Sequence, residues 1–392
     1  MPYYKYLIVG GGMAADAAVR GVREVDANGT IGLISAEPDP PYDRPPLSKG
    51  LWQGKPLEKI WRGTADRDIA LHLGRDAHKL ELHIKSVIDD EGTSYTFDKL
   101  LLATGGAARK LPLDNESIIY FRTLEDYRQL RARTKNGQRF GVIGGGFIGS
   151  EIAAALAMNE KDVVMIFPEE AVGSRVFPRD LGLFLNDFYR DKGVQLVTGE
   201  TLVGVETRGA QFLLKTKSGQ EHWVDGLVAG IGIQPNIALA QAAGLEVDNG
   251  IAVDEFLRAS HPDIYAAGDV ASFYNSALGK RMRVEHEDNA NTMGRLAGRN
   301  MAGKPGPYHH LPFFYSDLFE LGYEAVGELD SRLETVSDWQ EPYRKGVVYY
   351  LQDKRVRGVL LWNVWEQVEA ARRLIAEPGP FAPVDLKGAL PA

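Results

Sequence analysis

An α/β fold with two doubly wound parallel-sheet domains and a smaller α+β domain is what this sequence predicts. Two similar glycine turns, each set between a buried strand and a helix, carry that prediction, and 392 residues leave room for two or three cores. The first turn opens the chain. Tyr4–Val9 reads as a buried strand, Gly10-Gly11-Gly12-Met13-Ala14-Ala15 follows, and the small residues Asp16-Ala17-Ala18-Val19 begin a helix. In this G-x-G-x-x-A pattern Gly10 permits the tight turn and Gly12 admits a pyrophosphate against the backbone. Ala15 keeps helix and strand close, and the helix N-terminus faces the phosphates. The next strand, Thr30–Ser35, leads to Glu37, about 20 residues beyond the glycines, where an acid meets a ribose hydroxyl.

The second turn repeats the design. Phe140–Ile143 is the strand, Gly144-Gly145-Gly146-Phe147-Ile148-Gly149 the turn and Ser150–Leu156 the helix. Asp162–Phe167 is the following strand, and Pro168-Glu169-Glu170 places either Glu169 or Glu170 at the ribose. One such motif is weak evidence. Two, each in strand–turn–helix context with an acid at the right distance, predict two Rossmann-like domains holding two dinucleotides, most naturally FAD and NAD(P)H.

Composition narrows the chemistry. The hydrophobic fraction of 44% and charged fraction of 25% are those of a globular enzyme, and the net charge of −8 weighs against nucleic-acid binding. No apolar run approaches the ~20 residues of a membrane span. Met1 leads almost directly into the first strand, so a cytoplasmic location is expected. There is no cysteine, which removes thiol nucleophiles, redox disulfides and thiolate metal ligation and leaves redox work to a bound cofactor. No metal site is expected: the adjacent His309 and His310 diverge and have no third ligand at a recognisable spacing. The basic clusters Lys280–Arg283 and Lys354–Arg357 read as solvated faces, with docking of an acidic partner as the alternative. Asp180 reads as the cap of a helix carrying Leu181, Phe184, Leu185 and Phe188, which Gly193 ends.

Further segments give the resemblance a name. Phe97–Gly106 contains Ala103-Thr104-Gly105, Leu227–Asn236 contains Gly232, and Ile264–Val270 contains Gly268-Asp269. In this order they resemble the two-dinucleotide-binding flavoprotein reductases, the fold family of glutathione reductase. The resemblance implies an FAD domain in two parts, residues 1–111 and 240–305. It places an NAD(H) domain at 112–239 and a C-terminal interface domain at 306–392. It also implies that Asp269 hydrogen-bonds the ribityl chain of FAD. Pro41-Tyr42-Asp43-Arg44-Pro45-Pro46-Leu47-Ser48-Lys49 is similar to a segment of ferredoxin and rubredoxin reductases, ring-hydroxylating oxygenase reductases and apoptosis-inducing factor. Val284–Ala290, Gly294–Gly298, Tyr315–Leu318, Gly322–Gly327 and Gly346–Leu351 lean toward the last of these. The absence of a leader, an anchor and a long insertion favours a microbial reductase.

On spacing alone, Lys49 and Glu151 would be a surface lysine and a helix-face glutamate. The resemblance makes them an ion pair beside the flavin N5, where it also implies that hydride arrives from the nicotinamide. It gives Phe147 the role of covering the flavin until nicotinamide displaces it, against ordinary helix–sheet packing. Arg44 contacts the isoalloxazine or the pyrophosphate, or else forms a structural ion pair. His286 matches a flavin-facing histidine, and Tyr315 falls where an aromatic, usually Trp, lies near the flavin. A carboxylate at Glu169 or Glu170 hydrogen-bonds a free 2′-hydroxyl and repels a 2′-phosphate, favouring NADH, while Arg175 offers a route to NADPH.

The expected activity is hydride transfer from NADH to FAD, followed by electron delivery to an iron–sulfur protein of ferredoxin or rubredoxin type. The alternatives are a redox-responsive interaction protein with a long-lived FADH–NAD charge-transfer complex, as in apoptosis-inducing factor, and a quinone or small-molecule reductase. In the C-terminal domain, strands Val347–Gln352 and Val356–Trp362 flank an Asp353-Lys354 turn. Trp339, Trp362 and Trp365 fill its core, form a homodimer contact or line an acceptor site.

Overall fold

The computed structural model describes residues 1–113 and 115–391. The chain divides into two compact units. The first comprises Met1–Arg44, Pro56–Ala107 and Gln234–Phe313; the second comprises Pro45–Lys55, Ala108–Ile233 and Phe314–Ala392.

The first unit is built on a seven-stranded sheet. Its parallel part runs Ala70–Leu73, Ile31–Ser35, Tyr3–Val9, Ser94–Leu102, and the last of these also pairs in parallel with Ile264–Ala266. An antiparallel extension, Ser86–Asp89 and Ala77–Glu81, completes it. The central strands read as continuous apolar runs because both faces are covered: Leu7, Ile8, Leu33 and Leu100–Leu102 have at most 0% exposure. Helices Met13–Arg23 and Glu287–Met301 pack so closely that a Cβ at Gly21 would lie 2.0 Å from the Arg295 carbonyl oxygen. A Cβ at Gly298 would lie 2.1 Å from that of Ala18. Register brings the strands out together at their carboxyl edge, with Val9 beside both Ile34 and Leu102, and Leu102 beside Ala266.

In the second unit a five-stranded parallel sheet runs Val194–Thr198, Asp162–Phe167, Arg139–Ile143, Gly226–Ala229, Ile119–Tyr120. Leu202–Arg208, Gln211–Thr216 and Glu221–Val224 form an antiparallel meander. Strands Phe313–Leu318, Leu321–Gly327, Arg355–Trp362, Lys345–Gln352 and Glu334–Glu341 form a second five-stranded sheet, in that order. Asp353 and Lys354, both at positive φ, make the predicted turn of its Lys345–Trp362 hairpin. Trp362 is fully buried, stacked on Tyr323 and donating to the Tyr343 carbonyl, whereas Trp365 is half exposed.

One expectation is corrected. The helix read as capped by Asp180 is Arg179–Asp191, with Pro178 at the cap and Asp180 inside the first turn. Pro178 takes an extended conformation with φ −52°, so the chain enters the helix before the aspartate. Gly193, at φ +85°, does follow its end. In the cluster Lys280–Arg283, Arg281 is exposed, as a solvated face requires, while also donating to the Val253 and Ser272 carbonyls; Arg283 is tucked in and donates to that of Asp269. In the other cluster Arg357 pairs with Glu328.

Candidate functional site

At the carboxyl edge of the first sheet the chain turns sharply at Gly10, whose φ of +120° no other residue adopts readily. A Cβ there would lie 2.0 Å from the Ala103 carbonyl oxygen. Gly12 is the N-cap of Met13–Arg23, and no side chain caps that helix. A Cβ built on Gly12 meets nothing within 4 Å. The turn therefore presents uncapped helix N–H groups to an open hollow, the arrangement that takes a pyrophosphate. Ala15 is fully buried behind it.

The same edge gathers Ala103, Thr104 and Gly105, held by reciprocal hydrogen bonds between Thr104 and Asn236. Gly268, at φ +78°, and Asp269 follow strand Ile264–Ala266. Glu37 accepts from the Tyr42 hydroxyl at 2.5 Å and pairs with Arg44, which also donates to Tyr42 at 3.1 Å. Burial opposes the Arg44 charge, but Tyr42, Glu37 and Asp269 outweigh it and raise its pKa further. His286 caps Glu287–Met301, and burial pushes it down to about 4, so it is neutral near pH 7. His310 is hydrogen-bonded to Asp288 at 2.5 Å.

The second unit repeats the geometry. Gly144 has φ +111°, with a Cβ position 2.5 Å from the Gly230 carbonyl oxygen. Gly149 stands where a Cβ would lie 2.0 Å from the Gly144 carbonyl oxygen, and Gly146 faces open space. Helix Phe147–Met158 is uncapped by any side chain. Ile148 is partly exposed, Phe147 packs edge-on against Phe314, and Gly232, at φ +90°, ends the neighbouring strand's exit loop. Past Phe167, Glu169 pairs with Arg175 at 2.8 Å and Glu170 with Arg179 at 2.5 Å. A hydrogen bond from the Gly173 N–H to the Gly145 carbonyl ties this loop to the glycine turn.

Lys49 and Glu151 meet: Nζ lies 2.6 Å from Oε1, and the carboxylate is 5% exposed. Two serines complete its shell. Ser48 donates to Oε2 at 2.5 Å and Ser316 to Oε1. The Tyr315 ring lies 5.2 Å from the Lys49 ammonium. Burial raises the pKa of Asp317, the residue after Ser316, against the Lys49 charge. The sequence singled out neither serine as a site residue, although each lies inside a segment that carries the family resemblance. It also passed over Asp16, fully buried and bound by Arg20, Arg62 and Thr64 at 2.7–2.8 Å.

Two parallel sheets, each ending in an open glycine turn at an uncapped helix with an acid past the next strand, define an oxidoreductase that holds two dinucleotides. Residues 4–294 match the family described as pyridine nucleotide-disulphide oxidoreductase, and the chain belongs to it. It uses FAD and NAD(P)H, and with no cysteine it lacks the disulfide of the family's name. Residues 297–342 and 337–377 match the mitochondrion-associated C-terminal domain of apoptosis-inducing factor. Apoptosis-inducing factor 1 of Dictyostelium discoideum is 37% identical over 95% of this chain and 78% of its own length. The anthranilate 1,2-dioxygenase system ferredoxin–NAD(+) reductase component of Burkholderia cepacia is 35% identical over 95% and 94%. A crystal structure of the covalent putidaredoxin reductase–putidaredoxin complex superposes with a TM-score of 0.90, at 31% identity, over 97% of this chain and 95% of that one. Among the described residues no helix is long and apolar enough to cross a membrane.

Proposed function

We propose that the protein is an NADH-dependent reductase that passes electrons through FAD to an iron–sulfur protein of ferredoxin type. The observation that carries this is the buried Lys49–Glu151 pair, assembled in a chain that has two dinucleotide turns and no cysteine. In this reading the FAD part comprises residues 1–111 and 240–305, the NAD(H) part 112–239 and the interface part 306–392. When bound, FAD supplies a hydride acceptor at N5 and a store that releases electrons singly.

The protein's residues position and polarise. Gly10, Gly12 and Ala15 would hold the FAD pyrophosphate at the uncapped helix, with Arg44 beside it and Glu37 on the ribose. Ala103, Thr104, Gly105, Gly268 and Asp269 would line the remainder, with neutral His286 beside the ring, and the resemblance gives Tyr315 the place of an aromatic near the flavin. Gly144, Gly146, Ile148, Gly149 and Gly232 would hold the nicotinamide dinucleotide, and Phe147 would have the flavin-covering role that the resemblance gives it. Lys49, anchored by Glu151, would supply a fixed positive charge to the flavin, which would favour its acceptance of hydride. Glu169 and Glu170 favour a ribose hydroxyl over a phosphate, hence NADH.

The relatives named for a ferredoxin and for putidaredoxin support an acceptor of ferredoxin type. The reading carries a cytoplasmic location with it.

An anaerobic titration with NADH and, separately, NADPH, read by visible absorbance and followed by a ferredoxin, tests the proposal. Bleaching of the flavin band by NADH and rapid recovery on adding ferredoxin is the expected result. A bleached protein that ferredoxin does not discharge would instead identify a redox-responsive interaction protein.

A further inference from the structure

The ion pair is built from three separated pieces of chain. Ser48 and Lys49 follow the turn Pro45–Leu47, Glu151 stands in the first turns of the second glycine helix, and Ser316 comes from strand Phe313–Leu318. Glu151 is 5% exposed and Ser316 1%, so the carboxylate has little water to fall back on. One of its oxygens accepts from both Lys49 and Ser316; the other accepts from Ser48. A carboxylate with donors on both oxygens cannot rotate about its terminal bond without breaking at least one of them, and in a buried site that loss is not made good by solvent. The ammonium follows the carboxylate, since the Lys49 stem is flexible and only 12% exposed at its side chain. The Tyr315 ring on the same strand borders the ammonium from another direction. This strand therefore reaches the pair twice, through Tyr315 and through Ser316.

We propose that Ser316, together with Ser48, is a positioning residue: the two hydroxyls clamp Glu151 and so fix where Lys49 holds its charge. The C-terminal sheet is then part of the redox machinery as well as an interface. This inference rests on the reading that Lys49 and Glu151 act on the flavin. It implies that loosening the clamp moves the positive charge, which slows hydride arrival and withdraws support from the reduced cofactor's negative charge, while nicotinamide binding at the other glycine turn is left intact.

The test uses the FAD-loaded full chain and its Ser316→Ala, Ser316→Thr, Ser48→Ala and Glu151→Gln variants. Rapid mixing with NADH under anaerobic conditions separates the limiting rate of flavin bleaching from the NADH dissociation constant, and redox titration gives the flavin midpoint potential. Ser316→Ala and Ser48→Ala are each expected to lower the limiting rate about tenfold. The potential should fall by about 30 mV, the two-electron equivalent of a tenfold change, and NADH affinity should stay within about twofold. Ser316→Thr, which keeps the hydroxyl, should restore both. If Glu151→Gln shifts the rate and potential while both alanine variants keep the wild-type values, the clamp is overturned and the pair's role stands. If Glu151→Gln itself changes neither, the reading beneath it fails as well. Should Ser316→Ala not accumulate as folded protein, Ser48→Ala decides the matter, because it removes the donor on the opposite oxygen.

Discussion

Gly12→Ala should leave the fold nearly untouched and abolish tight FAD binding, whereas Gly10→Ala two residues away should damage the fold itself. The structure gives both magnitudes. At Gly12 the φ of −91° suits any residue and the added methyl meets nothing within 4 Å. The remaining cost is that of replacing glycine by alanine at an N-cap, at most about 1 kcal/mol. The methyl would, however, occupy the hollow in front of the uncapped helix N–H groups. Displacing a pyrophosphate from one or two charge-assisted hydrogen bonds there costs about 3 kcal/mol, or roughly a hundredfold in affinity. At Gly10 the φ of +120° alone costs an alanine about 1–3 kcal/mol. The 2.0 Å approach to the Ala103 carbonyl would also push apart two central strands. The assay compares thermal melting of the two apoproteins with FAD affinity followed by flavin fluorescence. A Gly12→Ala protein that binds FAD as tightly as wild type would refute the placement of the pyrophosphate. A Gly10→Ala apoprotein as stable as wild type would refute the backbone argument.

Three further outcomes follow from the geometry. Glu169→Ala removes a carboxylate and releases Arg175, so kcat/KM with NADPH should rise about tenfold while that with NADH falls, a comparison made by steady-state assay with both coenzymes. Burial holds His286 at about 4 in the folded state, against about 6.5 when unfolded. Between those values the unfolded chain binds the proton and the folded chain does not. Its contribution is therefore present above pH 6.5 and lost as pH falls toward 4, with a slope approaching about 1.4 kcal/mol per pH unit. Chemical denaturation of the apoprotein across that range should show the slope, and His286→Gln should flatten it. Asp16→Ala strips the acceptor from Arg20, Arg62 and Thr64 in a fully buried spot and should cost about 3 kcal/mol, seen as a fall in Tm of several degrees.

What was legible in the sequence was what only certain residues can do. Gly10 and Gly144 sit at φ values that exclude side chains, and the apolar strands before them end within a residue of their expected limits because the turn fixes where the sheet stops. Lys49 and Glu151 were legible only through resemblance, since 102 positions separate them and neither type is unusual in a helix or loop. Ser48 and Ser316 were not singled out, because a serine's role is decided by what faces it, and Ser316 lies 165 positions from its acceptor. In the basic run Lys280–Arg283, Arg283 departs from a solvated charge for the same reason: a guanidinium that reaches a backbone carbonyl looks, in one dimension, like its exposed neighbour Arg281. Asp180 misled because a good capping residue was given the cap without regard to the proline two positions earlier.

The tight crossing of Met13–Arg23 with Glu287–Met301 sets a different kind of limit. At Gly21, Gly294 and Gly298 the obstacle to a side chain is the neighbouring helix's main chain, which no substitution on the partner can trim. Relief would require translating a whole rod. Each of these rods begins at a residue that the proposed function places at the cofactor, one at Gly12 and the other at His286. A methyl added near the middle or far end of either one would therefore be felt as a misalignment of two distant contact points at once. Random variation at these three glycines should accordingly yield proteins that are folded but cofactor-poor more often than proteins with a single altered contact.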